Sequence, residues 1–577
     1  MQQHPTPHGA TLTGPAADPA APFAQHYRRP QEHPFRAEDR ERVTLLLGGL
    51  TRSQDRLLQA VFEGQGYRAA LLPLPTRADL QTGKEYGNNG QCNPTYFTVG
   101  TLVRYLIRLR DEEGMGTQQI LRDYAFLTAG SCGPCRFGMY ESEYRLALRN
   151  AGFEGFRVLI FEQSGAITQN GERGGLEITP ELFLGLLHAI LIGDTLNAIG
   201  YQVRPYEREP GALQRAMEAC IRLCEEALRN PPQPAAPGLV AHLLARLLNL
   251  KQPQHAALLL DRLRSGYYCD TLERCRELLE QQVEVDYTRP RPLVKITGEF
   301  WAQTTEGEGN YHIFRFLEGE GAEVLVEPVA TWVDYLLHDI DLKLRDRRGL
   351  PASLDGTPYP ARTLRSMLQG FRLRVTVRLA QWAFVREHER IRHAAGGTTH
   401  PLVSQHELQA LGHPYYNPRA TGGEGYLEVA KNIYYFHRHL AHMTLSLKPF
   451  GCMPSTQSDG AQAAVMAHYP DLIYLPVETS GEGEINAYSR VQMALGEAKS
   501  RCKEEFRAAL AQSGHTLEEI RAYVAAHPEL RRPLQPIPHH PATIGRAANF
   551  ILHVAARMAN DPARQATTPG QFVPHDA

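Results

Sequence analysis

No excess of either charge marks this chain of 577 residues: 61 Lys and Arg stand against 63 Asp and Glu, a formal net charge of −2. Such a balance gives no field to draw in nucleic acid or an anionic membrane surface, so neither is expected as a partner. The sequence also lacks G-x-x-x-x-G-K-[ST], and no G-x-G-x-x-G follows a strand-like run. Binding of a nucleotide by this chain alone is therefore not expected. The first 42 residues are rich in Pro, His and Ala without the basic start and apolar centre of a signal peptide. They read as a disordered leader, and the protein as cytoplasmic. The most apolar run, LFLGLLHAILIGDTLNAIG, contains His188, Asp194 and Asn197 and opens on Thr179-Pro180. That is an N-cap and a first helical residue, which predicts a buried helix and not a membrane span. Cysteine is sparse and odd in number, at nine. With no secretion signal, this argues against a disulfide framework and for metal or redox chemistry.

What the chain does contain is alternation. RVTLLLGGLTRSQDRLLQAVFEGQGYRAALLPLP reads strand, helix, strand, and PLVKITGEFWAQTTEGEGNYHIFRFLEGEGAEVLVEP reads the same way. Further strands are expected at 124–130, 156–162, 445–451 and 471–478. Apolar runs without polar alternation are buried on both faces, as in parallel sheets. The fold class is therefore α/β, with two doubly wound domains, a helical segment between them and disordered termini. The expected division is a leader over 1–42, a first α/β domain over 43–208, a helical segment over 209–288, a second α/β domain over 289–500, and C-terminal helices with a loose tail over 501–577. The stretch FRLRVTVRL at 371–379 alternates strictly inside a helix-compatible run, and periodicity leaves it open.

Three short stretches look alike: GQCNP around Cys92, SCGPCRFG around Cys132 and Cys135, and FGCMPS around Cys452. Each sets a cysteine in a loop with glycine before it and proline within two residues. The last two follow expected strands, where open α/β sheets form their crevices, so three sequence-distant loops can converge. Proline fixes a ligand loop, and glycine lets the backbone approach a bulky group closely. Thiolates select zinc or iron–sulfur centres over oxygen-loving metals. A single C-x-x-C with distant partners suits an iron–sulfur cluster better than a local zinc site; zinc and ordinary buried or catalytic thiols remain the alternatives. The other five cysteines, among them Cys220, Cys224, Cys269 and Cys275, lie in amphipathic helical sequence and read as packing.

Taken together, KEYGNNGQCNPTYFTVGTLVRYL, GPCRFGMYESEYRLALRNAGF, GEFWAQTTEGEGNYHIFRFLEGEGAEV and KPFGCMPSTQSDGAQAAVMAHYPDLIYLPVETSGEGEINAYSRVQ resemble, in order, the 2-hydroxyacyl-CoA dehydratase superfamily. The resemblance spans about residues 43 to 500. It is strongest to the large components associated with acyl-CoA dehydratase activases, relatives of the dehydratase subunits and of double-cubane cluster proteins. It implies Rossmann-like or flavodoxin-like domains holding an oxygen-sensitive iron–sulfur cluster, most simply [4Fe-4S]. It also implies a separate, actin-like, ATP-hydrolysing activase with its own [4Fe-4S] cluster as electron donor, and possibly a second dehydratase-like subunit. On that resemblance Cys92, Cys135 and Cys452 are ligands and Cys132 is an added candidate, while Asn88, Gly90, Gly133, Arg136 and Gly451 shape the surroundings. The implied role is a redox component of an anaerobic acyl-CoA dehydratase or reductase system. A non-catalytic cluster scaffold or relay, or a zinc-stabilised interaction protein, stands as the alternative.

Overall fold

The computed structural model describes residues 32–130, 135–161, 167–169, 172–173, 176–234, 236–248, 252–346, 364–420 and 422–561. Cys132, Gly133 and the tail beyond 561 lie outside them, as does the leader up to residue 31. Within the described residues the protein is mixed α/β, dominated by helix, with two mostly parallel sheets.

Apolar runs that end on glycine supply the strands. β1 (Thr44–Leu47) lies between β2 (Arg68–Leu71) and β3 (Tyr124–Ala129), and β4 (Arg157–Phe161) lies beyond β3, all parallel. Two short antiparallel strands that the sequence reading missed, β5 (Ile167–Gln169) and β6 (Glu172–Arg173), extend the sheet. The second sheet comprises β7 (Leu293–Gly298), β8 (Glu323–Leu325), β9 (Met443–Pro449) and β10 (Tyr474–Thr479), all parallel. Its order, β8-β7-β9-β10, repeats that of β2-β1-β3-β4: second, first, third, fourth along the chain. The strand expected at each of the runs named above is present. The helices Ala212–Arg229, Leu239–Leu248, Pro253–Arg264 and Tyr267–Gln282 separate the sheets in sequence.

β1 shows why continuous apolar runs mark these sheets. Leu45 and Leu47 face one core with the helices Arg52–Gly64 and Pro180–Val203, while Leu46 faces a second core with Asn93–Asp111 and Tyr140–Asn150. Each such leucine contributes ~1.5–3 kcal/mol relative to exposure. The helix Pro180–Val203 begins as expected, with the Thr179 side chain accepting from the Leu182 amide at 3.1 Å. Among the described residues it is the one helix long and apolar enough to cross a membrane, and 61% of its apolar window is buried inside the protein.

Two boundaries differ from the sequence reading, and one stretch that it left open is resolved. Residues 32–42 are packed on the first sheet: Glu32 pairs with Arg145 at 2.6 Å and accepts from the Val158 amide, and Phe35 is buried. A low-complexity composition hid one anchoring aromatic and one buried ion pair. The alternating stretch at 371–379 lies within a helix, Leu364–Ala394. Finally, the helix Glu484–Ser513 runs through the boundary drawn at residue 500.

The second sheet carries an unusual face. On β9, Met443, Leu445 and Leu447 enter an apolar core, whereas Thr444, Ser446 and Lys448 point the other way and are buried too. Lys295 of β7 is fully buried on that face.

Candidate functional site

All three cysteines of the repeated device that lie within the described residues are N-cap residues of helices. Cys92 precedes Asn93–Asp111, Cys452 precedes Met453–His468, and Cys135 precedes the 3-10 turn Arg136–Met139, which leads into Tyr140–Asn150. Pro94 and Pro454 sit in the first turn, where a missing N–H costs nothing. Neither Cys92 nor Cys452 spends its sulfur on capping. The positive ends of two long helices thus carry thiols, an environment that favours thiolate once a partner is bound. Cys135 follows β3 and Cys452 follows β9, each the third strand of its sheet, so the repeat in sequence reflects equivalent topological positions.

The three loops touch. The Asn93 amide donates to the Phe450 carbonyl at 3.1 Å, and Asn93 Nδ2 donates to the Thr479 carbonyl at 2.7 Å. Gly451 is left-handed at φ 75°, and a Cβ there would lie 3.3 Å from Cys92 Cα. This glycine lets the two cysteine turns meet. Arg136 Nη1 donates to the Gly90 carbonyl, joining the Cys92 loop to the Cys135 turn. Asn88 bonds through its amide and Nδ2 to Glu143, at 3.2 and 2.8 Å, and Gln91 joins the same carboxylate at 2.9 Å. Cys92 Sγ lies 3.2 Å from Thr95 Oγ1 and 3.3 Å from Tyr140 Oη.

Two carboxyl groups that the sequence reading did not single out belong to this place. Glu299 follows β7 directly and caps the short helix Phe300–Thr304, accepting from the Ala302 amide at 2.9 Å. Glu424 lies in a glycine run, TGGEG, whose Gly423 is left-handed at φ 57° and packs on Pro454 so closely that a Cβ would fall 2.6 Å from its Cγ. Glu424 Oε1 accepts from the Phe300 amide at 2.6 Å. Burial pushes both carboxyl groups above the usual range, and the Glu299 charge adds to this at Glu424. Burial likewise pushes the Cys135 thiol up to about 12 and raises Cys452; the two glutamates raise both further. A metal at Cys135 and Cys452 would therefore have to displace their protons.

Behind the glutamates lies the polar face of the second sheet. Lys295 Nζ meets Glu327 at 2.6 Å, and Lys431 Nζ approaches the same carboxylate at 3.7 Å. Lys448 bonds Glu428 at 2.8 Å. The Ser480 loop is held differently: Tyr311 Oη accepts from the amides of Ser480, Gly481 and Gly483 at 2.7, 3.0 and 3.2 Å.

Among the described residues no three His, Cys, Asp or Glu side chains close around a single ion position. Three soft donors on three touching loops, each with glycine or proline beside it, fit a larger group that spans them. The bland reading holds elsewhere. Cys220, Cys224 and Cys275 are buried between helices, Cys224 and Cys275 with their sulfurs 3.9 Å apart. His442 accepts from the Leu293 amide at 2.9 Å inside the fold. Comparison with protein-family models and with curated protein sequences gives no match, so the site stands on its own geometry.

Proposed function

We propose that this chain is the iron–sulfur redox component of an ATP-driven, activase-dependent acyl-CoA dehydratase or reductase system in the cytoplasm, of the 2-hydroxyacyl-CoA dehydratase superfamily. The single observation that carries this reading is the meeting of the Cys92, Cys135 and Cys452 turns across two sheets of equal strand order. That order also supports reading the molecule as two Rossmann- or flavodoxin-like doubly wound units with the site at their switch points.

Cys92, Cys135 and Cys452 would hold the cluster, most simply [4Fe-4S], with Cys132, three residues earlier in the sequence than Cys135, a further candidate. Such a cluster supplies one-electron transfer at low potential. The chain's own residues do the rest. Arg136 and Glu143 fix the Cys92 and Cys135 turns relative to each other. Gly451 lets the Cys452 turn close on Cys92, and burial keeps water from the Cys92 and Cys452 sulfurs. Met139, Phe450 and Met453, on the cysteine-bearing turns, are exposed and offer an apolar rim for the electron-donating ATPase.

Anaerobic purification followed by metal and acid-labile sulfide analysis tests the reading. About four irons and four sulfides per chain, without zinc, are expected for one cubane cluster. Stoichiometric zinc without sulfide would instead identify a zinc-stabilised interaction protein.

A further inference from the structure

The helix Leu364–Ala394 carries two apolar faces where a surface helix needs one. The inner face, with Val377, Phe384 and Ile391 in steps of seven, is buried against the body of the protein. The outer face is left in solvent, with Phe371, Leu379, Trp382 and Val385 exposed. Phe371, Val375, Arg378, Trp382 and Val385 follow one another in alternating steps of four and three. That is the spacing by which one helix presents a seam to another. Residues 370–373 are exposed in succession, so this part of the helix stands clear of the body. A contiguous apolar strip of this kind marks a docking site more often than a plain surface.

Charge selects the partner. From Gly370 to Arg386 the helix has four arginines, Arg372, Arg374, Arg378 and Arg386, and no Asp or Glu. One carboxylate, Asp341 of the neighbouring helix Ala330–Asp346, is shared by Arg345, Arg374 and Arg378 at 2.5, 2.7 and 3.4 Å. Arg378 remains exposed, in line with the seam, and Arg386 lies over the Trp382 ring at 5.3 Å. A second copy of this chain would set arginine against arginine along the seam, and like charges so placed repel. A lipid surface would draw the apolar strip among acyl chains with Arg378 in its middle, which is costly for a guanidinium. A helix with apolar residues at the same spacing and carboxylates beside them satisfies both the seam and the arginines.

We propose that the outer face of this helix, from Phe371 to Arg386, is a docking surface for an acidic amphipathic helix of another protein. The partner seats its apolar residues on Phe371, Val375, Trp382 and Val385 and sets carboxylates on Arg378 and Arg386. The proposal is independent of the metal reading above.

Trp382 reports on this surface directly: it is 57% exposed, whereas the other two tryptophans, Trp301 and Trp332, are buried. The full-length protein is titrated with two synthetic helical peptides of about four heptads, both with Leu at the seam positions, one flanked by Glu and the other by Lys. The Glu-flanked peptide should bind saturably and shift the emission to the blue, and its binding should weaken as salt rises. The Lys-flanked peptide should bind at least about tenfold more weakly. Trp382→Phe should abolish the shift, which assigns it to this face. Phe371→Ser should weaken the Glu-flanked peptide about tenfold with the thermal melt unchanged, since the side chain is exposed. The double change Arg378→Glu, Arg386→Glu should exchange the preference in favour of the Lys-flanked peptide. Equal binding of the two peptides, or binding of neither, would overturn the assignment. So would a blue shift produced by phosphatidylglycerol vesicles or by raising the protein's own concentration, which would identify a lipid surface or a second copy as the occupant.

Discussion

Cys135 is the least enclosed of the three thiols in the site: Cys92 and Cys452 are buried, whereas Cys135 is partly open. Its sulfur accepts only a long 3.5 Å bond from the Phe137 amide. Removing it therefore separates ligation from folding better than removing either of the others. In Cys135→Ala the apoprotein should lose less than about 1 kcal/mol of stability, since no large buried volume disappears. The loaded protein should lose most of its iron and its broad absorbance, because an iron is left without a soft ligand. Iron analysis beside a thermal melt of the apoprotein reads both. Full iron in this variant would exclude Cys135 from the site.

At the scale of elements, the second sheet puts charge where a sheet of this kind usually puts leucine. Glu327, just past β8, neutralises Lys295 at 2.6 Å and Lys431 at 3.7 Å, and the two ammonium groups also rest on the rings of Tyr435 and Trp332, each at 4.4 Å. Burial alone would raise the Glu327 carboxyl, but the two lysines hold it well below its usual range, while burial pulls Lys431 down to about 8. Glu327→Gln would leave two buried cations without a counter-charge. Breaking a buried pair in this way costs ~3–5 kcal/mol. A fall of that size in the unfolding free energy, from urea titrations at neutral pH, is expected. A loss below ~1 kcal/mol would mean that the lysines shed a proton in place of straining the fold.

This polar face also marks how far the sequence could be read. The strands were legible because apolar runs ending in glycine have few other uses, and the places of Cys135 and Cys452 were legible because strand ends define where crevices form, whereas Cys92 follows a helix. Alternation on β7 and β9 normally signals one face in water. Here both faces are buried, and nothing in the spacing of Lys295 or Lys448 tells a buried lysine from a solvated one. The strict alternation at 371–379, which periodicity left open, belongs to a long helix. Glu424 was hidden for a different reason: its loop follows no strand, and it comes to the cysteines only through the packing of Gly423 on Pro454.

For the whole molecule, the question is whether either of two sheets of one strand order could hold a nucleotide. In such sheets a phosphate is usually held by a glycine-rich turn between the first strand and the helix after it, where free amides point at the anion. Here the turn after β1 leads into a helix whose first amides are already used: Thr51 caps it, accepting from Gln54, and the Arg52 amide donates to Glu306 at 2.8 Å. The matching turn after β7 is occupied by the buried Glu299 side chain, which takes the Ala302 amide, the kind of donor a phosphate would need. In both turns side-chain oxygens thus already take amides that a phosphate would need. On the proposed function the energy of ATP enters from a separate protein, and the isolated chain should show no micromolar binding of labelled ATP in equilibrium dialysis. On the same reading, ATP-driven reduction of the proposed cluster should require the separate ATPase. Saturable micromolar binding by the chain alone would overturn this division of labour, because one of the two turns would have to open to make room.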